Sequence, residues 1–477
     1  MQRIKSLSEY FDQYEKSQND PEGFWSKIAE SFNWIKPWSK VLESDFEKVS
    51  IKWFIDAKLN ITENIFERNL VKNKEKTAII WEPNNPDEET KKISYQELYE
   101  ETCRFSNALK DLGIKKGDRI IIYMPMVPEA AIAMLACARV GAIHSVVFAG
   151  FSSTSLADRI DDCQAKMVIT SDGNFRGNKV IPVKSVVDEA LEKSNSIEKV
   201  VVLKRTNQDV NLVENRDFWW HELVADKSSE CKAEVMDSED MLFILYTSGS
   251  TGKPKGVVHT TGGYMVYSAY TFSNVFQYDK DDIYWCTADV GWITGHSYIV
   301  YGPLLCGATS LMFEGVPTYP NVSRFWDIVD KHKVNQFYTA PTAIRALQAH
   351  GLEPLENNSL ESLKVIGSVG EPINEEAWHW YHDNIGKGNC PLVDTWWQTE
   401  TGGIMISALA GITPNKPAHA SLPLPGIIPV IVDAEGNELE GNNVQGNLCI
   451  KSPWPSILRT TYGCLLYTSD AADEGLG

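Results

Sequence analysis

The sequence is poor in the cysteine spacings that mark a disulfide framework or a small metal-binding module. Its nine cysteines are scattered over 477 residues, their number is odd, and none belongs to a Cys-x-x-Cys pair. Free cysteine is a small, mostly buried apolar residue, and disulfides are rare in reducing compartments. The cysteine pattern therefore predicts buried thiols and a cytoplasmic location.

Two further absences limit the choice of partners. The formal net charge is −19, so the chain lacks the positive excess that a nucleic-acid backbone attracts, although a local cationic pocket for ATP is not excluded. The longest apolar stretch, Ile120–Phe151, is interrupted by Pro125, Pro128 and Arg139, so it predicts strand, helix and strand rather than a membrane span. Met1–Asp20 has no apolar core of a signal peptide. We therefore expect neither a nucleic acid nor a membrane as partner, and the sequence leaves the oligomeric state open.

The most informative segment is Tyr246–Gly256, which concentrates three glycines and four hydroxyl residues and ends with Lys253 and Lys255. It follows the apolar run Met241–Leu245, which predicts a buried strand. Glycine allows close backbone approach, and N–H groups, hydroxyls and lysine bind phosphate oxygens. The segment predicts a polyphosphate-binding loop, and a plain solvated turn is the alternative. The candidate phosphate-binding residues are Thr247, Ser248, Gly249, Ser250, Thr251, Gly252 and Lys253.

This loop is not a Walker A motif. Pro254 stands where that motif has its magnesium-binding Ser or Thr, and two residues rather than four separate Gly249 from Gly252. Proline also opposes a helix through the lysines. The sequence therefore indicates a different class of nucleotide-binding loop.

The order of elements predicts an α/β protein with mostly parallel sheets. Ser94 with Glu97 has the spacing of a capping box at a helix start, and strand, helix and strand then follow at Arg119–Tyr123, Pro128–Gly141 and Ala142–Phe148. A second series begins near residue 241. Its predicted strands are Leu242–Tyr246, Ile283–Cys286, Thr309–Phe313, Gln336–Tyr338, Lys364–Gly367 and Leu392–Trp396.

After residue 423 short alternating strands between Pro and Gly turns, such as Pro429–Val432, predict a small β-rich module. We predict five units: a wrapping segment 1–80 that is rich in Trp, a first α/β subdomain 81–235, a second α/β subdomain with the site 236–422, the β-rich module 423–463 and a foreign-looking tail 464–477.

Six ordered strings resemble the AMP-forming acetyl-CoA synthetases of the adenylate-forming superfamily. They are Tyr246–Gly256, Thr287–Tyr298, Phe313–Pro317, Tyr338–Arg345, Gly367–Pro372 and Asp394–Gly403. The resemblance implies the large N-terminal domain of that fold. It also implies an acetate–CoA ligase, in which acetate and ATP give acetyl-adenylate and pyrophosphate, and CoA then displaces AMP. ATP, Mg²⁺ and coenzyme A are the implied cofactors.

The same resemblance implies roles for individual residues. It places adenine against Gly370, Glu371 and Pro372, and it takes Thr247, Lys255 and Glu400 as catalytic candidates, with Glu400 also a magnesium ligand. The implied nucleotide wall is Asp394, Thr395, Trp396, Trp397, Gln398 and Thr399. Taken alone, the Gly-Glu-Pro string is also a good turn, and Glu400 a solvated loop acid.

The resemblance also implies the two ends of the substrate path. The acyl pocket is implied at Ile293, Thr294, Val369 and Trp397, where the indole of Trp397 would fill the space that a longer acid needs; Thr294 is also a candidate cofactor contact. Taken alone, Trp397 is also a core residue. The implied CoA contacts are Arg176, Gly177, Asn178, Lys179 and Thr318.

The end of the chain departs from the family. Relatives continue with an Asp that binds the ribose, a hinge and a lid that carries a Lys. Here Gly463 is followed by Cys464 and an unrelated tail. We therefore expect a C-terminally truncated chain without the lid, unable to complete the cycle. A ligase for propionate or another short acid, and a non-catalytic nucleotide-binding fragment, are the alternatives.

Overall fold

A computed structural model describes residues 3–247 and 254–463 of the chain. Its helices are α1 Leu7–Asn19, α2 Pro21–Ala29, α3 Ile61–Ile65, α4 Glu67–Asn73, α5 Tyr95–Asp111, α6 Pro128–Val140, α7 Ser153–Cys163, α8 Val183–Leu191, α9 Trp220–Val224, α10 Thr261–Val275, α11 Ile293–Gly295, α12 Gly302–Leu305, α13 Arg324–His332, α14 Pro341–Gln348 and α15 Glu375–Trp380. Two π-helical segments, His296–Tyr301 and Tyr381–Ile385, and a 3₁₀ turn, Glu353–Leu355, accompany them.

The strands are short, as expected for α/β units. They are β1 Lys40–Asp45, β2 Ser50–Ile55, β3 Lys58–Leu59, β4 Thr77–Glu82, β5 Lys91–Ser94, β6 Arg119–Tyr123, β7 Ile143–Val146, β8 Met167–Ser171, β9 Asn174–Arg176, β10 Lys179–Ile181, β11 Lys199–Leu203, β12 Asp217–Trp219, β13 Met236–Asp237, β14 Met241–Thr247, β15 Lys255–Thr260, β16 Ile283–Cys286, β17 Thr309–Phe313, β18 Gln336–Thr339, β19 Val365–Ser368, β20 Leu392–Asp394, β21 Pro429–Val432, β22 Asn447–Ile450 and β23 Thr460–Thr461.

Two large sheets organise the molecule. The first has eight strands in the order β12-β11-β8-β6-β7-β14-β15-β23, and the second has seven in the order β20-β19-β18-β16-β17-β4-β5. Most neighbours are parallel; β14 with β15, β15 with β23, and β4 with β5 are antiparallel. The prediction of an α/β fold with mostly parallel sheets is confirmed.

The two sheets exchange strands along the sequence. β4 and β5 belong to the second sheet although they precede every strand of the first, and β14 and β15 belong to the first sheet although they follow residue 236. The sheets therefore divide the chain differently from the predicted boundaries 81–235 and 236–422, which stay a prediction. Of the predicted β-rich module, β21 pairs with β22, whereas β23 extends the first sheet.

Local sequence rules explain several element boundaries. The capping box at Ser94 is present, with Ser94 Oγ accepting from the Glu97 N–H and the Glu97 carboxylate accepting from the Ser94 N–H. The predicted strand Leu392–Trp396 is too long: β20 ends at Asp394, because Trp396 turns away and bridges Ile406. The predicted bounds of β16, β17 and β21 agree with the structure.

Aromatic side chains hold the N-terminal segment on the body. Trp25 is fully buried and packs against α10, with its ring centroid 5.5 Å from that of Tyr267 and 5.3 Å from that of Tyr270. The Tyr10 hydroxyl donates to the Pro423 carbonyl at 2.7 Å. Burial of such large rings supplies much of the free energy that fixes this segment. In the described part of the chain, no helix combines the length and apolarity needed to cross a bilayer.

Candidate functional site

A cavity of about 710 Å³ lies where the strands of the second sheet end. Most of its lining residues come from the ends of β16, β17, β18, β19 and β20 or the segments after them, and Met126, Phe148 and Thr247 come from the ends of first-sheet strands or the segments after them. The carboxyl edge of a parallel sheet is the usual ligand-binding edge of α/β proteins. The lining residues are Met126, Phe148, Arg176, Thr247, Thr287, Ala288, Asp289, Trp292, Ile293, Thr294, Phe313, Gly315, Val316, Pro317, Phe325, Ala340, Ala343, Val369, Gly370, Trp397, Gln398, Thr399 and Glu400.

The two ends of the predicted phosphate loop face each other, and the first of them, Thr247, lines this cavity. Thr247 ends β14 and Lys255 begins β15, and the two residues pair across the antiparallel ladder. Antiparallel pairing fixes where the intervening loop must start and return. The predicted loop residues 248–253 (Ser248, Gly249, Ser250, Thr251, Gly252 and Lys253) lie outside the described residues.

The four residues predicted for the acyl pocket all line the cavity. They are Ile293, Thr294, Val369 and Trp397. The Trp397 ring stands edge-on to Tyr298 with centroids 5.0 Å apart, and its Nε1 donates to Tyr338 Oη at 3.3 Å. Both tyrosines are fully buried. The indole is therefore held from two sides.

The predicted adenine turn divides into two parts. Gly370 lines the cavity with φ +96°, and a Cβ there would meet no atom within 4 Å, so the backbone is open to a ligand. The Glu371 carboxylate is bound instead to the start of α14, accepting from the Thr342 N–H at 2.7 Å and from Arg345 at 2.9 Å. The Thr342 and Arg345 donors hold the pKa of Glu371 below its usual range. Pro372 is exposed beside it.

The predicted nucleotide wall also divides. Gln398 and Thr399 line the cavity, whereas Asp394 and Thr395 are buried behind it. Thr395 Oγ1 donates to the Ser368 carbonyl at 2.8 Å, which fixes the wall to β19. Burial raises the pKa of the Asp394 carboxyl to about 6, and the nearby His419 opposes this rise.

Glu400 lies at the end of that wall and lines the cavity. Its carboxylate forms no ion pair with any residue that the structure describes. Its backbone is fixed, because the Glu400 carbonyl accepts from the Leu458 N–H at 2.9 Å. An anchored backbone with a partly exposed carboxylate is suited to hold a cation.

The predicted CoA contacts meet at a small hairpin formed by β9 and β10. Arg176 lines the cavity and pairs in register with Lys179. Gly177, with φ +63°, forms the turn beside the exposed Asn178. The Asn84 side-chain amide donates to the Gly177 carbonyl and accepts from the Gly177 N–H, both at 2.9 Å. A Cβ on Gly177 would lie 3.5 Å from Val316, so the hairpin lies beside the loop that carries the exposed Thr318.

Among the lining residues that sequence reasoning missed are Phe148, which follows β7, and Asp289 and Trp292 in the loop after β16. Trp292 is 47% exposed and lies 5.9 Å from Phe148, centroid to centroid. Burial raises the pKa of Asp289 to about 6, while the Gly291 N–H and the Arg176 charge lower it. Asp289 and Trp292 fall inside the string Thr287–Tyr298, which carries the resemblance, and that string was the available signal.

The chain matches two family models that meet at residue 65. The model described as "AMP-binding enzyme" covers residues 66–460, and the model described as "Acetyl-coenzyme A synthetase N-terminus" covers residues 10–65. Together they span the first sheet, the second sheet and the N-terminal segment.

Curated relatives agree with both models. An "Acetyl-coenzyme A synthetase" of Desulfatibacillum aliphaticivorans is 56% identical over 455 residues, which are 95% of this chain and 70% of the relative. One from Bradyrhizobium diazoefficiens is 56% identical over 458 residues, covering 96% of this chain and 70% of the relative. One from Parvibaculum lavamentivorans is 57% identical over 462 residues, covering 96% and 71%. On these matches, the chain belongs to the acetyl-coenzyme A synthetase family of AMP-binding enzymes.

Proposed function

We propose that this chain carries the acetate and nucleotide site of an AMP-forming acetate–CoA ligase. Acetate attacks the α-phosphate of ATP to give acetyl-adenylate and pyrophosphate, and the CoA thiol then displaces AMP. The name of the relatives, acetyl-coenzyme A synthetase, supports this reaction. The observation in the site that carries the proposal is that the acyl-pocket candidates Ile293, Thr294, Val369 and Trp397 line the same cavity as the nucleotide candidates Gly370, Gln398 and Thr399.

Acetate is the proposed acid because we infer a short recess between Ile293, Thr294, Val369 and Trp397, all of which line the cavity. Ile293 and Val369 are buried aliphatic walls, and Thr294 adds one hydroxyl. To make room for a longer acid, Trp397 would have to leave its edge contact with Tyr298, in a densely packed interior. A methyl group therefore fits the recess better than a longer alkyl chain.

The residues of the chain fit a nucleotide beside that recess. Gly370 leaves space for a flat base, and Gln398 and Thr399 present polar groups to the cavity. Thr247 and Lys255 place the ends of the phosphate loop at the same edge. Acetate is ionised at neutral pH and needs no base, so the proposed work of these residues is positioning and charge compensation.

Glu400 is the proposed protein ligand of Mg²⁺. Among the described residues, no group of three or more His, Cys, Asp or Glu side chains is arranged to hold a metal ion. Magnesium commonly takes one or two carboxylates and completes its shell with substrate phosphates and water, so a single free carboxylate on the cavity fits this mode. When bound, the ion would neutralise charge on the phosphates.

CoA is proposed to enter past the β9–β10 hairpin. Arg176 and Lys179 lie on neighbouring strands and are exposed, so their charges are available to phosphate groups. The proposed reaction takes place in the cytoplasm and uses small-molecule substrates only. All cysteines that the structure describes are free thiols, which supports a reducing compartment.

Acetate-dependent exchange of labelled pyrophosphate into ATP tests the adenylation step in the purified 477-residue chain. We expect exchange with acetate to exceed exchange with propionate, and exchange with butyrate to be lowest. Binding of ATP without exchange for any of the three acids would contradict the proposal and favour a nucleotide-binding protein. A preference for propionate would move the proposed substrate to the three-carbon acid.

A further inference from the structure

A buried histidine connects the return strand of the phosphate loop to the nucleotide wall. His259 lies on β15, four residues beyond Lys255, and is fully buried. Its Nε2 is 2.7 Å from the Thr399 carbonyl oxygen. A carbonyl only accepts hydrogen bonds, so Nε2 carries the proton and donates. This bond joins β15 to a wall residue of the cavity, Thr399, across 140 residues of sequence.

The backbone that follows the nucleotide wall passes so close to the His259 ring at Gly402 that a larger residue at Gly402 would clash. A Cβ on Gly402, which has φ +71°, would lie 2.9 Å from the His259 ring and 2.6 Å from the Ser456 carbonyl oxygen. Residues just beyond Ser456 bind the neighbours of both Thr399 and His259. The Leu458 N–H donates to the Glu400 carbonyl, and the Arg459 N–H donates to the Val258 carbonyl. The His259 ring is thus enclosed by strand, wall and this third segment.

We propose that His259 is a positioning residue of the adenylation site. Its bond to Thr399 sets the distance between the strand that carries Lys255 and the wall segment that carries Glu400. The inference rests on the proposed function, because it concerns how the phosphate and metal contacts of ATP are held apart. His259 itself does not line the cavity, so it acts through Thr399.

The His259 Nε2–H keeps its protonation state over the physiological pH range. Burial lowers the pKa of His259 to about 3, and the charges nearest it, Arg459 and the titratable His296, oppose its protonation further. The ring is therefore neutral at pH 5–8, with its single proton kept on Nε2. His259 is expected to act as a fixed spacer and to contribute no inflection to a pH–activity profile in that range.

A second histidine in the same cluster provides a matched control. His144 on β7 is also fully buried, and both rings pack against Phe243, at centroid distances of 5.5 Å for His144 and 5.0 Å for His259. The Nε2 of His144 bonds to Tyr301 Oη at 2.7 Å, away from the wall. Loss of either ring removes comparable packing, but only His259 contacts Thr399.

The test compares His259→Met, His259→Gln and His144→Met in the full chain. Glutamine places an amide N–H near the position of Nε2, whereas methionine fills similar volume without a donor. ATP affinity with Mg²⁺ is measured by calorimetry, and stability by the thermal unfolding midpoint. His259→Met should weaken ATP binding about tenfold or more, because a displaced contact commonly costs ten- to a hundredfold. His259→Gln should stay within about threefold of the original chain, and His144→Met should lower the midpoint without changing ATP affinity.

The outcomes separate the two proposals. If the original chain does not bind ATP, the proposed function fails. If it binds ATP and folded His259→Met binds equally well, or His144→Met weakens binding as much, the positioning role is wrong while the function stands. Failure of glutamine to restore affinity would also overturn it. If His259→Met does not fold, His259→Asn replaces it, since its shorter amide cannot reach Thr399 and predicts the same loss.

Discussion

The two ends of the cavity are built in opposite ways. At the acyl end, Trp397 is fixed by the buried rings of Tyr298 and Tyr338. At the hairpin end, Arg176 and Lys179 are exposed, and the Arg176 guanidinium lies over the face of Phe148, 5.6 Å from the ring centroid. A rigid wall can reject an acid by size, whereas flexible cations can follow a phosphate but discriminate poorly. We therefore propose that the first end selects the substrate and that the second captures the cofactor.

Opening the rigid end should give the largest effect. Trp397→Gly should admit propionate, butyrate and valerate, with a change in relative preference of roughly 10–200-fold per added methylene. Exchange rates for the four acids measure it. Trp396→Gly is the matched control: Trp396 is adjacent but bridges Ile406 outside the recess, so its loss should leave the preference unchanged. An unaltered preference for acetate in Trp397→Gly would remove this indole from the pocket.

Removing the charge at the flexible end should affect only CoA. Arg176→Ala should weaken CoA binding about tenfold and leave acetate-dependent exchange intact, because a charge-assisted bond to phosphate is lost. Calorimetry with CoA in the presence of AMP measures it. Lys193→Ala removes an exposed cation that pairs with Glu189 and serves as the control. A matching loss of exchange in Arg176→Ala would show that the two ends are not independent.

The buried carboxyl behind the wall predicts a pH effect on stability. Because burial raises the pKa of Asp394 to about 6, the folded state holds this proton between pH 4 and 6 while the unfolded state releases it. This group therefore stabilises the fold less as pH rises through that window. Asp394→Asn should gain roughly 1–2 kcal/mol of unfolding free energy over the original chain at pH 7, and the gain should vanish below pH 4. Urea unfolding without nucleotide at pH 3.8, 5 and 7 checks the trend; a pH-independent difference would contradict it.

The smallest effect concerns the second cation of the hairpin. Lys179→Arg should tighten CoA binding by about two- to fourfold, since guanidinium can bind phosphate through two parallel hydrogen bonds. Lys179→Ala should weaken it by a similar factor. CoA titrations of the pair measure this. Equal affinities for the three side chains would place Lys179 outside the CoA site.

Sequence reasoning found what lies in contiguous strings and missed what long-range packing creates. The bounds of β16 and β17 follow from short apolar runs between turn residues. The strand after Ser368 was predicted two residues too long, because nothing local indicates that Trp396 bridges Ile406. Gly370 lines the cavity and Glu371 does not, because the Glu371 carboxylate is bound to Thr342 on a distant helix.

The same limit explains the residues that were not predicted. Phe148 and Trp292 become neighbours only when strands of the two sheets are assembled, and the ring of His259 looks like an ordinary core side chain until Thr399 is placed against it. Residue type and spacing along the chain carry no information on these contacts.

The exchange of strands between the two sheets has a consequence for synthesis. β4 emerges early and pairs with β5, but its other partner, β17, begins about 230 residues later. At ~5–20 residues per second, that is roughly ten to forty-five seconds during which the open edge of β4 has no partner. The nascent chain therefore carries an unpaired apolar edge through much of its translation. For the same reason, two halves cut near residue 236 would each lack strands of their own sheet, and neither is expected to fold alone.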